Sequence, residues 1–464
     1  RCRYPSRDQR HCAPMDQSNL GYRARSLRRS RYREWIDVWD AYPVKMTGIA
    51  AEPQLAFLPW NTPLESWPDD VVVALPRGIS RHIVRFVRIE GVVYAIKEVE
   101  LELAEREYRL LTDLHRRDVP AVEPVAVVSD RVDASGEPLP AALITRHLQY
   151  SLPYRALFSS TLRAETAERL LDALAVLLVQ LHLTGFSWND CSLSNTLFRR
   201  DAGAFAAYLV DAETGELHAT LTDGQREYDL ETAATNVAGE LMDLQAGERL
   251  QGDLDPIVIG VSLRTRYDSL WREITGHIEF TRDDRYPLEA RIRRLNDLGF
   301  DFAELQVVTA DDGDRMIVQP KVVDAGHHSR RLIRLTGLDV EENQARRLLN
   351  DLDSYRVKIG LGPEDEEIAA HQWVSERFER AMAEVPADLR SRMEPAEIFH
   401  EILEHRWFMS ERAGHSVPFI DAVHSYVENV LVSKPDERSV IGSRSGDIDD
   451  ATAELRIVVP PDAD

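Results

Sequence analysis

The chain is 464 residues long, which at ~150 residues per domain allows two or three domains and a sizeable core. Its 44% hydrophobic and 29% charged residues exclude a fibrous or wholly disordered polymer. The net charge of −23 argues against a general nucleic-acid binder, because neutralising phosphates takes a positive surface. The apolar-rich stretch Leu170 to Leu183 is broken by Asp172, Gln180 and His182, so no membrane span is expected. Cys2, Cys12 and Cys191 are too few and scattered for a disulfide framework or a cysteine zinc site, which fits a reducing, cytoplasmic setting.

In chain order, residues 1–45 carry eleven Lys/Arg against five Asp/Glu and show no helical periodicity. They read as a disordered basic arm or as an over-extended start ahead of Met15 or Met46. Pro53 to Pro68 reads as an extended lead-in. Val71 to Leu75, Ile83 to Ile89 and Val92 to Ile96 are β-branched runs, the last two joined by the turn candidate Glu90-Gly91. Leu101 to His115 has the spacing of a helix with one apolar face, and strands follow at Val125 to Val128 and Ala141 to Thr145. From Ala164 the run Leu170, Leu171, Leu174, Leu177, Leu178, Leu181 marks a nearly all-buried helix. Two short strands, Thr196 to Phe198 and Ala206 to Val210, precede a helix at Gln225 to Leu244. A small sheet followed by helices with an embedded hairpin is an α+β, two-lobed pattern, with lobes at about 71–148 and 149–249 of a domain spanning 46–249. Residues 250–433 form a mostly helical second unit with helices at Asp255 to Ile274, Leu288 to Leu298, Arg330 to Leu335, Glu342 to Tyr355, Glu366 to Glu384, Pro395 to Arg412 and Pro418 to Val432. A hairpin around Asp311-Asp312-Gly313 interrupts them, and the polar tail 434–464 is expected to be disordered.

The chemistry concentrates in the first domain. Only five of the 56 basic residues are lysines, and one of them, Lys97, ends the strand Val92 to Lys97. A compact ammonium there suits a site where a planar guanidinium would not fit. Glu107 on the next helix is a candidate partner. Asp190 and Asn195 stand five apart in a loop between a buried helix and a hairpin, and the hairpin delivers Asp211 at its end. Taken singly, each is an ordinary loop or surface residue. Together, a proton-accepting carboxylate, an amide oxygen and a second carboxylate form a set suited to phosphoryl transfer with a hard, oxygen-liganded cation.

In that order and on those elements, residues 71–245 resemble the protein-kinase-like fold, in its atypical lipopolysaccharide-kinase and RIO-type branch. Tyr94-Ala95-Ile96-Lys97 is similar to the V-A-I-K strand, Asp190 to Asn195 to the D-x-x-x-x-N loop, and Asp211-Ala212-Glu213 to the D-F-G position. Residues 250 to about 430 resemble an uncharacterised bacterial domain that accompanies such domains. The resemblance implies that Lys97, oriented by Glu107, holds the ATP phosphates. Asn195 and Asp211 would bind Mg²⁺ or Mn²⁺, and Asp190 would deprotonate an acceptor hydroxyl. The segment Leu143 to Leu148, with Thr145 and His147, would border adenine, and Gly78, Ser80 and Arg81 would lie in the phosphate loop. That loop has one glycine, Trp188-Asn189 replace His-Arg, and Ala212-Glu213 replace Phe-Gly, with no A-P-E after them. A long peptide-docking segment is therefore missing, which favours a small-molecule, glycan or restricted protein acceptor. The altered motifs also fit a nucleotide-binding pseudokinase, against which the retention of Asp190 and Asn195 counts. The second unit is expected to contact the first or to dock a protein partner.

Two other constellations carry less. In His400-Glu401-Ile402-Leu403-Glu404-His405 the histidines are five apart, about 140° round a helix, unlike the four-residue spacing of H-E-x-x-H. A helical Glu401–His405 pair is the expectation there. His327-His328 with Arg330, Arg331 and Arg334 reads as a basic helix face.

Overall fold

A computed structural model describes residues 44–48, 53–73, 82–154, 157, 164–248, 250, 254–275, 278–281, 300–309 and 315–434. The basic arm up to residue 43, Gly78, Ser80, Arg81, the expected helix Leu288 to Leu298, the turn Asp311 to Gly313 and the tail beyond Lys434 lie outside the described residues.

β-branched alternation builds the first sheet. Its strands are β1 (Lys45–Gly48), β2 (Val72–Val73), β3 (Ile83–Ile89), β4 (Val92–Val99), β5 (Glu123–Ser129) and β6 (Ala141–Arg146), in the antiparallel order β1-β5-β6-β4-β3-β2. The β3–β4 loop pairs Ile89 with Val92, and both turn residues take positive φ, Glu90 at 50° and Gly91 at 90°, as a two-residue hairpin of right-handed strands requires. Period-two alternation splits the side chains between two layers. Val87, Tyr94, Ile96, Val128 and Ile144 face one way, while Val99, Val127 and Leu143 pack with Ala104, Leu111 and Leu114 of α1 (Leu101–His115) on the other.

The first layer corrects the reading of Pro53 to Pro68. That stretch is two 3₁₀ turns, Pro53–Phe57 and Leu64–Ser66, and it covers the sheet with Leu55, Trp60, Leu64 and Trp67. Tryptophan indoles anchor it, Trp60 Nε1 donating to Leu55 O and Trp67 Nε1 to Thr62 O. The buried Arg131 guanidinium donates to the carbonyls of Trp60 and Thr62 and to Glu98 at 2.7 Å. Lys45, assigned from sequence to the arm, belongs to the edge strand β1, a sixth strand beyond the five expected.

The second lobe is built on α2 (Ala164–Leu183), with short pairs β7 (Leu152–Pro153), β8 (Phe186–Ser187) and β11 (Glu216–Leu217) flanking the hairpin β9 (Thr196–Asp201) and β10 (Ala204–Leu209). α3 (Asp223–Ala246) starts at a capping box between Thr222 and Gln225. α4 (Pro256–Thr275), which periodicity assigned to the second unit, packs into this lobe: Ile259, Leu263, Tyr267 and Ile274 share one core with Leu174, Leu178, Val237 and Leu241. The approach is close, since a Cβ on Gly260 would meet Ala234 O at 2.6 Å. The first core therefore runs on past residue 249.

Beyond it, β12 (Ile278–Thr281), β13 (Phe300–Thr309) and β14 (Arg315–Ala325) form an antiparallel sheet in the order β12-β14-β13, one strand more than the expected hairpin. Six helices follow: α5 (His327–Thr336), α6 (Glu342–Lys358), α7 (Glu366–Trp373), α8 (Glu379–Glu384), α9 (Pro395–Ala413) and α10 (Phe419–Asn429). They enclose a second core around Leu348, Leu352, Trp373, Phe399, Ile402 and Tyr426. The single helix expected over Glu366 to Glu384 is interrupted by the π-turn Val374–Phe378. Trp373 and Phe378 stand five apart, too far round an α-helix to share a face, and the wider turn stacks their rings at 6.1 Å in the core. Glu401 does not pair with His405: it accepts from Tyr426 Oη and Lys434 Nζ, each at 2.8 Å, while His405 meets Ser425 Oγ. Lys434, expected in the tail, is thus buried and paired. The basic face is met by acids, His328 by Glu342, Arg330 by Asp118 and Arg331 by Glu366.

The two cores are joined through buried polar groups on β9 and β10. Arg199 pairs with Glu341 at 2.9 Å and Glu394 at 2.7 Å. Burial and the neighbouring Glu341 push Asp201 up to about 7, and burial pushes Glu394 up to about 7 against the attraction of Arg199. Two histidines shift the opposite way: burial lowers His147 to about 4, and burial with Arg347 lowers His400 to about 4. A raised carboxyl contributes stability that is full below its unfolded pKa and lost as pH rises through the folded value. A lowered histidine contributes stability lost as pH falls below 6.5. The opposing effects overlap at acid pH, and above 6.5 the carboxyls act alone. The melting temperature is therefore expected to fall between pH 6.5 and 8, and Glu394→Gln to flatten that slope; differential scanning calorimetry across this range checks both.

Candidate active site

The site begins with β4, whose alternation puts Tyr94 and Ile96 under the 3₁₀ cover and turns Lys97 towards α1 and the second lobe. There its ammonium meets three carboxylates: Glu107 of α1 at 3.0 Å, Asp211 after β10 at 2.8 Å, and Glu213 at 2.7 Å. Burial alone would lower Lys97, but Glu107 and Asp211 raise it well above the usual lysine value. Glu107 is buried, and desolvation and Asp211 push its carboxyl up despite Lys97. Glu213 is held down by Lys97 and His82, whose Nε2 lies 3.0 Å away, although burial pulls the other way. Three carboxylates around one ammonium leave excess negative charge, which a proton or an added cation relieves.

The loop after α2 places the second half. Asn195 Nδ2 donates to Asp190 O at 3.0 Å and Oδ2 at 3.3 Å, and Asn236 Nδ2 donates to Asp190 Oδ1 at 3.2 Å. The halves are linked by the backbone, Val210 N donating to Asn195 O at 3.0 Å, and by Trp188, whose indole donates to Asp211 O at 2.8 Å. Asn195 and Asp211 thus flank one hairpin, Asp211 grouped with Lys97 and Asn195 with Asp190. Their oxygens are hard donors of the kind Mg²⁺ and Mn²⁺ take, with no sulfur or imidazole among them.

One face of α3 holds the loop. Asp229, fully buried, accepts from Trp188 N at 2.7 Å, Asn189 N at 2.8 Å and His182 Nε2 at 3.1 Å. About three turns along, Glu240 accepts from Leu193 N at 2.7 Å and Ser194 N at 3.1 Å. The loop backbone bends sharply enough that Asn189 has φ 64°, secured by Ser187 Oγ and Thr214 O. Sequence reasoning missed Asp229, Asn236, Glu240 and Glu213. The first three recur at i, i+7 and i+11 among apolar helix positions, which is the signal that could have found them. Glu213 stood where a motif glycine was expected.

Thr145 lies on β6 opposite Ala95, and His147 follows the strand with its N–H donated to Val93 O at 2.9 Å. That amide is consequently already paired within the sheet, although the resemblance placed this segment beside adenine. The His147 ring meets Phe86 edge-on at 5.4 Å. It also borders a cavity of about 1080 Å³ shared with Tyr150, Asp201, Tyr208 and Glu341, whose walls do not include Lys97, Asp190 or Asp211. The cavity is therefore separate from the charged cluster.

A loop carboxylate after a buried helix, a strand lysine paired to a helix glutamate and an acid returned by a hairpin stand in the order expected from the kinase-like resemblance. Residues 90–240 match the Lipopolysaccharide kinase (Kdo/WaaP) family, and residues 269–431 match a domain of unknown function, DUF4032. The chain is thus kinase-like in its first part and carries the uncharacterised domain after it, as the resemblance implied. No curated protein matches the chain. A solved structure of WaaP in complex with acyl carrier protein is similar with a TM-score of 0.33 and 15% identity, over 55% of this chain and 99% of that one. Among the described residues, no helix is long and apolar enough to cross a membrane.

Asp229→Ala would leave two backbone donors and His182 without their buried acceptor. A loss of about 3 kcal/mol in urea denaturation is expected. Unchanged stability would mean that the loop does not depend on this clamp.

Proposed function

We propose that the chain is a phosphotransferase that uses ATP with Mg²⁺ or Mn²⁺ and transfers phosphate to a hydroxyl of a small molecule, glycan or protein. The observation that carries the reading is the Lys97 ammonium bonded to both Glu107 and Asp211, with Asp190 and Asn195 at the other foot of the same hairpin. The matched family is named for lipopolysaccharide, which makes a sugar hydroxyl the acceptor class to test first.

In this reading Lys97 orients the α- and β-phosphates, and Glu107 fixes its direction. Asp190 accepts the acceptor's proton on a carboxylate held from both sides, Asn236 donating to Oδ1 and Asn195 to Oδ2. A divalent cation, when bound, supplies charge neutralisation on the transferred phosphate, and Asn195 and Asp211 are the groups that would hold it. Thr145 and His147 are assigned to the base, His147 through its side chain because Val93 O takes its amide, and Gly78, Ser80 and Arg81, outside the described residues, are assigned to the phosphates.

Glu213 supports a second reading. Its carboxylate sits on Lys97 at 2.7 Å, where a phosphate oxygen would bind, so a pseudokinase kept closed by this contact is the alternative.

The test is Mg²⁺-dependent ATP turnover with thermal-shift titration of ATP. Asp190→Ala is expected to keep nucleotide stabilisation and lose about 10²–10⁴-fold in turnover. Lys97→Ala is expected to lose the stabilisation. Stabilisation of the wild type without turnover, under a panel of sugar acceptors, would favour the pseudokinase, and no stabilisation at all would remove both readings.

A further inference from the structure

The hairpin β9–β10 has both feet in the proposed site, Asn195 directly before β9 and Asp211 two residues after β10. Its far end is grasped by the C-terminal domain. Asp201, at the tip, accepts from Asn343 N at 3.2 Å, Asn343 Nδ2 at 2.9 Å and Gln344 N at 2.8 Å, so a carboxylate of one domain caps the first turn of α6 in the other. Gln344 Nε2 returns a bond to Arg200 O, and Glu397 of α9 accepts from Gln344 Nε2 and from Ala202 N. On the flank of the hairpin, Glu341 accepts from Tyr208 Oη at 2.8 Å and pairs with Arg199, which also reaches Glu394. Asp201, Glu341, Gln344 and Glu397 are all buried.

This is more than domains resting against each other. The contacts fall on both strands and the tip of one hairpin, and they are charged or backbone-directed, so they fix orientation as well as distance. A two-stranded hairpin by itself is marginally stable and free to twist. Here β9 has the short β7 beside it, through Leu152 and Pro153, and the hairpin's inner face packs with α2 through Phe198, Ala207 and Leu209, Leu209 also exchanging bonds with Pro120 and Val122, while the outer flank and tip are held by the C-terminal domain. The groups that the hairpin feet present to the site are therefore positioned from both ends, by local bonds at the feet and by how the outer flank and tip are held.

From this we infer that the C-terminal domain is the positioning scaffold of the hairpin that bears Asn195 and Asp211, with Asp201, Tyr208, Glu341 and Glu397 as positioning residues. The inference rests on the phosphotransferase reading, since it concerns the cation that reading assigns to Asn195 and Asp211. It gives the domain of unknown function a task inside the site without any residue of its own touching substrate.

The experiment uses the full chain and Mg²⁺ as the probe, reading the Mg²⁺ concentration that half-saturates ATP binding by thermal shift, with amide hydrogen exchange at Val210 to Glu213. Asp201→Ala is expected to raise that concentration about 10-fold or more and to speed exchange at these amides, as loss of outer support to metal ligands does. Asp201→Asn, which keeps an acceptor for α6, is expected to recover most of the affinity. Tyr208→Phe removes one hydroxyl at the same interface and is expected to shift the half-saturation the same way should Asp201→Ala not fold. Folded variants with a lowered melting temperature but unchanged Mg²⁺ dependence and exchange would make the interface merely structural and overturn the inference, leaving the phosphotransferase reading intact. A wild-type chain without Mg²⁺-dependent ATP binding would overturn both.

Discussion

The Lys97 ammonium is the point on which the kinase-like half of the molecule converges. It is one charge of a sheet lobe, yet its partners come from α1, from the foot of a hairpin in the other lobe and from the residue two beyond. No apolar contact could bring these elements to the same 3 Å. Because three carboxylates share it, the cluster is under electrostatic tension that favours the arrival of another positive charge. Glu213, at the motif glycine's position, sharpens this by adding a third carboxylate 2.7 Å from the ammonium, which in the phosphotransferase reading a phosphate oxygen would have to displace.

A second regularity follows from the acid-rich composition. Many of the buried acids do not serve as partners of lysine, which is scarce, but as acceptors for backbone N–H groups. Buried Asp229, with half-buried Glu240, holds the Trp188–Ser194 loop in this way, and buried Asp201 holds the start of α6. A carboxylate that accepts two main-chain bonds fixes the path of the backbone more tightly than a surface ion pair does, since burial has removed the water that would otherwise compete. The net charge of −23 thus coexists with a well-ordered interior.

The local features of this fold were legible in the sequence. β3, α1 and the start of α2 sit at the limits set by period-two and period-3.6 patterning, and Lys97, Glu107, Asp190, Asn195 and Asp211 lie on or beside the strand, helix, loop and hairpin that the patterning marked out. What was not legible depends on distant partners. The stretch Pro53 to Pro68 coils because two tryptophans and Arg131 capture it, and neither fact has a local period. The helix Glu366 to Glu384 contains a π-turn because Trp373 and Phe378 seek one core, a demand that the α-helical template does not contain. α4 has the periodicity of an ordinary amphipathic helix, and nothing in that pattern says which of two cores it will enter. Glu213 was hidden by the motif itself, which directs attention to the missing glycine and not to what the new side chain can reach.

The clasp between Arg199 and Glu394 has a consequence for the birth of the protein. These residues are 195 positions apart, and the groups that Arg199 and Asp201 will meet are made long after the hairpin has left the ribosome. Closing so long a loop is slow relative to local helix formation, and until it closes a guanidinium and a carboxylate on the hairpin remain in water. The kinase-like half is thus complete in sequence well before it is complete in shape, and a nascent chain passes through a stage in which its future site exists as elements without alignment. Synthesis itself orders assembly: the last helices to emerge finish the part of the molecule that was translated first.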